Sequence, residues 1–534
     1  MLNMGSEKHR KEEIKMNKCY KSLTDFDTEK IKIVLKSMIV GLLAGIVAVC
    51  YRFTLQFAEV LADKGYAFVR GNVWYIIGAF AFAIVNALIV GSLVKWNPMI
   101  SGSGIPQLEG IMKGHFKKRK KWFHTIWSKF LGGTLGIVSG LSLGREGPSI
   151  QIGAAIGEGV AGKIGNDSME KKILMVSGAS AGLAAAFNAP MAGVIFALEE
   201  IYKYFSPLIL LSSMSAAVVA DFVSKQVFGL KPVFDFQIIR GVPLNNYWII
   251  ILLGLFIGAM GAFYNYFLLF TKKLYKKFGP KNIQVRMLIP FLCATIIGLT
   301  FPIAMGGGHA IIKELNIHTA ISVLMIIFAV KIIFSMISFC AGTPGGIFFP
   351  LLVLGATLGA IFGGLSIKLG IINNDLFYNI IVLAMAGYFA AIVRAPITGI
   401  VLIMEMTGSF THMLSLTVVS IIAYITADLL KCPPIYDALL DEMVEDEEDK
   451  KSTNNKKIMI EILVQHESAY ENQLVKDISW PENSLLVEVR RGEIQLVPNG
   501  NTRLRSGDYL YILIEECEEC DAKVKLNELN ELAV

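Results

Sequence analysis

From about residue 33 to 430 the chain is a succession of apolar stretches with short polar breaks. Candidate spans are 36–61, 73–95, 126–143, 206–228, 247–271, 286–305, 320–340, 350–366, 378–392 and 413–430. Several come near the roughly 20 residues a helix needs to cross a bilayer. Segments 148–160, 190–200 and 396–406 are apolar but too short. Glycine and proline punctuate them, which predicts helices that stop within the membrane. Such broken backbone is tolerated only where it is buried in protein or lines a cavity. Residues 1–32 are polar and read as a cytosolic tail without the apolar core of a secretory leader. Residues 441–456 form a charged, mainly acidic linker. Beyond it the pattern changes to strand-like runs. These are a strand at 458–464, a hairpin from 485–489 through a turn at 490–493 to 494–497, a strand at 509–514 and a final helix-like stretch. The pattern therefore predicts an all-α polytopic membrane domain over 33–440 and a small β-rich cytosolic domain over 457–534.

The membrane part repeats itself. Gly144, Pro148, Gly153 and Gly157 match Gly346, Pro350, Gly355 and Gly359 at an offset of 202. Ala184, Ala185, Ala189, Pro190, Gly193 and Glu199 match Ala390, Ala391, Ala395, Pro396, Gly399 and Glu405 at an offset of 206. Two halves follow, about 33–230 and 240–440. Matching broken segments in two halves point to a transport site at their interface. The spacing leaves open whether the halves are parallel or inverted.

Composition agrees with a membrane protein. Of 534 residues 54% are hydrophobic and 18% charged, below the roughly 25% charged residues of soluble domains. The net charge of +6 is modest and the basic residues are local, which argues against a nucleic-acid partner. The clusters Lys117 to Lys121, Lys272-Lys273 and Lys276-Lys277 place their loops, and both tails, on the cytoplasmic side. Seven cysteines are scattered, and Cys517 and Cys520 form a lone pair with no histidine nearby, so no metal site is expected. Neither a Gly-x4-Gly-Lys-Ser/Thr loop nor an H-E-x-x-H helix occurs, and no nucleophile–base signature stands out. No cofactor and no enzymatic activity are expected. A membrane enzyme using Glu146 and Glu200 as an acid/base pair is the outlying alternative.

Three Gly/Pro segments share one character: Gly102-Ser103-Gly104-Ile105-Pro106, Gly144-Arg145-Glu146-Gly147-Pro148-Ser149 and Gly345-Gly346-Ile347-Phe348-Phe349-Pro350. Each leads through proline into a helix, the second beginning near Pro148 after a tight turn. Free N–H groups at a helix start bind anions without a full cation. Amide dipoles and a hydroxyl hold an anion weakly enough for release, as transport requires. Glu146 sets a tethered carboxylate at one such end.

These motifs, with Ala185-Ala186-Phe187-Asn188-Ala189-Pro190 and Glu199-Glu200, resemble the CLC family of chloride channels and chloride/proton antiporters in order and spacing. The resemblance implies a homodimer of inverted-repeat subunits in the plasma membrane, transporting chloride and protons. It implies that Ser103 and Tyr436 coordinate the central chloride by their hydroxyls, with the amides of Ile347 and Phe348. It implies an outer anion site at the backbone of Arg145, Gly147 and Phe349, which the Glu146 carboxylate occupies when ionised. Glu146 is then the gate. Serine at 103, where nitrate-preferring members have proline, implies chloride as substrate. Glu200 matches the internal proton-relay glutamate of family antiporters, so proton-coupled antiport is expected, with a passive gated chloride channel as the alternative. Glu199 and Glu405 occupy equivalent places and are expected to share a structural role, and Glu109 and Lys129 are read as electrostatic or structural charges. Residues 457–534 resemble the ligand-sensing C-terminal module of potassium-transport regulators, on Leu486 to Gly492, Pro498 and Asn501 to Asp508. That resemblance implies a regulatory domain and a small ligand such as a cyclic dinucleotide.

Overall fold

Helices fill the first 448 residues of the computed structural model. The structure describes residues 4–116, 120–165, 168–203, 205–230, 232–234, 236, 241–448, 457–464, 468–481, 484–491, 494–515 and 526, with side chains from residue 30 onward except at 168, 445–448, 457, 458, 461, 494 and 515. The loop lysines Lys117 and Lys118, the later part of the linker, Cys517, Cys520 and the final helix-like stretch apart from Leu526 lie outside these residues.

The first half contains α1 (Met4–Val69), α2 (Val73–Trp96), α3 (Ile105–Lys113), α4 (Trp122–Val138), α5 (Glu146–Ile164), α6 (Ser168–Phe187), α7 (Pro190–Phe196) and α8 (Pro207–Phe228). A π-helical turn, Ala197–Tyr202, prolongs α7. The second half contains α9 (Tyr247–Phe278), α10 (Ile283–Thr300), α11 (His309–Glu314), α12 (Ile321–Cys340), α13 (Phe348–Lys368), α14 (Phe377–Val393), α15 (Pro396–Thr407) and α16 (Met413–Leu429). The halves correspond element for element, eight to eight. A last helix, α17 (Ile435–Glu448), follows. Among the described residues eight helices are long and apolar enough to cross a membrane. The protein is a multi-pass membrane protein.

The two halves meet at the repeated glycines. Gly144 and Gly346 form an antiparallel bridge and exchange two backbone hydrogen bonds, of 2.7 and 2.8 Å. Equivalent residues pair with each other across a local two-fold axis, in keeping with the inverted repeat that the family resemblance implies. Glu199 and Glu405 reinforce it reciprocally. The Glu199 carboxylate accepts from the N–H groups of Ile397 (3.2 Å) and Thr398 (2.8 Å) at the start of α15. The Glu405 carboxylate accepts from Met191 (3.1 Å) and Ala192 (2.8 Å) at the start of α7. Each caps the other half's broken helix, satisfying donors that the helix leaves free.

Small residues let α5 and α6 approach backbone to backbone, as in membrane interfaces generally. A Cβ at Gly178 would lie 2.1 Å from the Gly153 carbonyl oxygen, and one at Gly153 equally close to the Gly178 carbonyl. Neither backbone can give way. Gly178→Val is therefore expected to cost about 3 kcal/mol or more and to abolish a monodisperse peak in detergent chromatography. Gly162→Ala, on the open face of α5 with nothing within 4 Å, is expected to behave as the parent.

Several boundaries differ from the sequence reading. Helix α5 begins at Glu146, two residues before Pro148, because Arg145 already has helical angles (φ −92°, ψ −16°). Its first turn is buried in protein. The span at 126–143 ends its helix at Val138, and the chain then turns back toward the Gly144 bridge. The span at 286–305 stops at Thr300, where Pro302 opens a short 3-10 turn. Helix continues from Met4 through the expected polar tail and from Ile435 to Glu448 through the start of the acidic linker.

The chain divides into two compact units, Met1–Glu442 and Met443–Val534. The second holds a four-stranded sheet of β1 (Lys457–Leu463), β2 (Leu485–Arg491), β3 (Ile494–Leu496) and β4 (Asp508–Glu515), in the order β1-β4-β2-β3, all antiparallel. Arg490 and Arg491 are paired residues of β2, not turn residues. Ile460, Ile462, Val489, Leu510 and Ile512 form the core with Leu526. Arg491 clasps the buried Asp508 carboxylate with two hydrogen bonds, Nε to Oδ1 at 2.8 Å and Nη2 to Oδ2 at 2.7 Å. That clasp raises the Arg491 pKa.

Candidate functional site

The three Gly/Pro segments converge. The Gly102 N–H donates to the Thr343 carbonyl (3.2 Å) and the Gly345 N–H to the Gly102 carbonyl (3.0 Å). The Gly144–Gly346 bridge joins the other two segments. A Cβ at Gly147 would sit 2.9 Å from the Ser103 Cβ and carbonyl oxygen, so only glycine lets α5 approach Ser103 here. Gly104 holds φ +94° to enter α3.

The first helical hydrogen bonds of α5 and α13 run from Ser149 N–H to Arg145 O (3.0 Å) and from Leu351 N–H to Ile347 O (2.9 Å). The amides of Glu146, Gly147, Phe348 and Phe349 lie ahead of these ladders. Pro148 and Pro350 have no N–H to contribute. Two equivalent helix starts thus present free amides at the repeat interface, where an anion is favoured. Both Glu146 carboxylate oxygens are buried without a hydrogen-bond partner, and the nearest cation is Arg145, with Nε 3.8 Å from Oε1. A Cβ built at Gly144 would meet both Glu146 Oε2 (2.5 Å) and the Phe349 nitrogen (3.2 Å). The carboxylate therefore lies beside the free amides.

Ser103 is buried, and its Oγ accepts from the Ile105 N–H at 3.3 Å. Tyr436, in the first turn of α17, is fully buried with a hydroxyl that lacks a hydrogen-bond partner. It lies within electrostatic reach of both Glu146 and Glu200. Glu200 sits in the π-helical turn, 4% exposed, with Oε1 unpartnered. A π-turn is a frequent mark of functional positions.

Around Glu200 lies a charge cluster that the sequence reading only partly found. Glu109 of α3 pairs with Lys113 (2.9 Å) and Lys203 (2.8 Å). Lys203 also pairs with Asp437, next to Tyr436. It has φ +56°, a left-handed conformation ending the π-turn. Lys203 thus ties α3, which follows Ser103, to α17, which carries Tyr436.

Lys129 is fully buried and donates to the carbonyls of Ile100 (2.9 Å) and Gly102 (2.7 Å), fixing the loop before Ser103. Lys331 repeats this in the second half, donating to Ala304 (3.0 Å) and Gly306 (2.8 Å). Lys331 stands 202 residues after Lys129, the offset already seen in the glycines, so the pairing was available in the sequence. Lys129→Met would leave the Ile100 carbonyl unpaired, at about 1–3 kcal/mol, and take from the Gly102 carbonyl one of its two donors, the other being the Gly345 N–H. It is expected to lower the melting temperature, because the loop before Ser103 loses its support.

Among the described residues no group of three or more His, Cys, Asp or Glu side chains is placed to hold a metal.

The family model "Voltage gated chloride channel" matches residues 85–428, and the TrkA-C domain matches 459–516. The chain is 31% identical over 446 residues to the H(+)/Cl(-) exchange transporter ClcA of Klebsiella pneumoniae subsp. pneumoniae, covering 81% of this chain and 93% of that protein. It is 30% identical over 456 residues to the transporter of the same name from Salmonella arizonae, covering 83% and 95%. A solved structure of a slow cyanobacterial Cl-/H+ antiporter superposes with a TM-score of 0.72 at 26% identity, over 78% of this chain and 98% of the other. A eukaryotic CLC transporter at 20% identity shares the fold, with a TM-score of 0.65 over 78% of this chain and 74% of the other. Broken helices meeting at paired glycines and matches across both halves lead to one conclusion: the chain belongs to the voltage gated chloride channel family and carries a TrkA-C domain after its membrane part.

Proposed function

We propose that the protein exchanges chloride for protons across the cell membrane, with both termini in the cytoplasm. The observation that carries this reading is the Glu146 carboxylate, buried beside the free amides of two facing helix starts without a hydrogen bond of its own. A carboxylate there competes with chloride for the same donors while ionised. Once protonated it loses its charge and leaves the amides to a free anion, so one proton and one anion path are linked at one residue.

Ser103, Tyr436 and the amides of Ile347 and Phe348 hold the central chloride. The backbone of Arg145, Gly147 and Phe349 forms the outer site that Glu146 closes. Glu200 passes protons between the cytoplasm and Glu146. Its position in a π-turn beside the charged Glu109–Lys203–Asp437 cluster supports that route, as does Tyr436 lying within electrostatic range of both glutamates. The relatives' names, which specify H(+)/Cl(-) exchange, support the coupling. The protein works as a homodimer, each subunit with its own path. The TrkA-C domain regulates transport in response to a small ligand, a cyclic dinucleotide being one candidate.

A reversal-potential measurement in planar bilayers tests the reading. With symmetric chloride, a transmembrane pH difference is expected to displace the reversal potential from zero. A reversal potential that ignores pH and follows chloride alone would make the protein a passive channel.

A further inference from the structure

Beside Glu146 lies a narrow recess with a cavity volume of about 10 Å³, walled by Glu59, Arg145, Glu146, Gly307, His309 and Phe349 among others. Glu59 comes from α1 and belongs to none of the motifs that define the site. Its Oε1 faces the Gly307 N–H at 3.4 Å. A Cβ at Gly306 would lie 3.2 Å from the same oxygen. Lys331 fixes that loop from behind through the carbonyls of Ala304 and Gly306, so Glu59 is held against it and its carboxylate borders the recess. The His309 ring closes another side by packing on Phe349 at 4.0 Å. One water needs roughly 10–15 Å³ of such volume, so the recess is sized for a single water between the two carboxyl groups.

We propose that Glu59 is a proton-transfer group on the outer side, which receives protons from external water and delivers them to Glu146. The proposal rests on the antiport reading above and deepens it. In the step, the Glu59 O–H gives its proton to a water in the recess, and that water gives one of its own to a Glu146 oxygen. Glu146 becomes neutral and Glu59 ionised; hydronium from outside then reprotonates Glu59. The charged and titratable groups facing Glu59 are Asp63 on its own helix, Arg145 and Glu146 of α5, His309 of α11 and Lys331 of α12. The two carboxylates border the same recess and repel each other when both are ionised, so ionising one favours keeping a proton on the other.

The test compares Glu59→Gln, Glu59→Asp and the double variant Glu59→Gln/Glu146→Gln in liposomes, recording chloride and proton fluxes against external pH. Glutamine keeps an acceptor for the Gly307 N–H but cannot relay a proton; aspartate can. Glu59→Gln is expected to lower coupled proton flux about tenfold and to change its dependence on external pH. Glu59→Asp should restore most of the flux. The double variant should carry chloride as fast as Glu146→Gln alone. Proton flux in Glu59→Gln equal to the parent's would overturn the proposal. So would a Glu59→Asp variant as slow as Glu59→Gln, or a double variant that loses chloride flux, since both indicate a packing role. Should Glu59→Gln yield no folded protein, Glu59→Asn against Glu59→Asp makes the same comparison. A parent protein that moves chloride without protons would instead defeat the antiport reading itself, and this proposal with it.

Discussion

Glu146→Gln is expected to carry chloride at a rate of the parent's order while coupled proton movement falls at least a hundredfold, the loss of a dedicated proton carrier. Glutamine has the shape of the protonated acid and no charge. It cannot compete as an anion for the amides of Gly147 and Phe349, so the path stays open to chloride. The substitution is also mild for the fold. The neutral amide oxygen can accept equally from the backbone N–H groups of Glu146 and Phe349 that lie against the carboxylate, and Arg145 Nε is 3.8 Å away. Vesicle chloride release read together with external pH checks both halves of the expectation. Chloride release that disappears with the proton signal would mean that Glu146 binds or builds the site without gating it.

Glu200→Gln is expected to lower coupled proton flux about a hundredfold as well, with chloride flux retained, but for a different reason: the path from the cytoplasm to Glu146 is cut. The neighbouring Glu199→Gln separates relay from structure. Glu199 accepts three hydrogen bonds at the start of α15, from the Ile397 and Thr398 N–H groups and the Thr398 hydroxyl. Weakening that cap is expected to cost about 1–2 kcal/mol, seen as a lower melting temperature, while the ratio of chloride to protons stays that of the parent. If Glu199→Gln uncouples transport and Glu200→Gln does not, the two roles are exchanged. The same measurement bears on Lys203. Its bridge from Glu109 to Asp437 links the helices beyond Ser103 and Tyr436, and Lys203→Met should raise the chloride concentration needed for half-maximal flux.

Much of this site was legible because it is built from motifs whose chemistry is local. Glycine before a helix, proline inside its first turn and a carboxylate at its start declare a helix N-terminus wherever they occur. The repetition of Gly144 and Pro148 as Gly346 and Pro350 foretold that two such ends belong together. The inverted sense was not legible in the spacing, since an offset counts residues and carries no direction; the family resemblance implies it, and the Gly144–Gly346 bridge is in keeping with it. Helix α5 began two residues early because Arg145 turns helical once the bridge has fixed Gly144. Glu199 and Glu405 were rightly grouped by their equivalent positions, yet their partners lie in the opposite half and about 200 residues away. Glu59, His309 and Lys203 escaped notice altogether. Each is a single polar residue on an apolar or unremarkable segment, and each gains its meaning from what the fold sets beside it. Lys331 was missed as well, although its 202-residue offset from Lys129 could have marked it; the loop it holds, Gly306 to Gly308, stands where the Ser103 loop stands in the first half.

The most direct test of the account is uphill pumping. Purified protein in lightly buffered liposomes, loaded with high chloride and diluted into low chloride at equal pH, is monitored for external chloride and pH together. Chloride leaving the vesicles is expected to drive protons inward against the gradient they build, so that the external medium turns alkaline, and Glu146→Gln is expected to release chloride with no pH change. Chloride leaving the parent vesicles at constant external pH would contradict it.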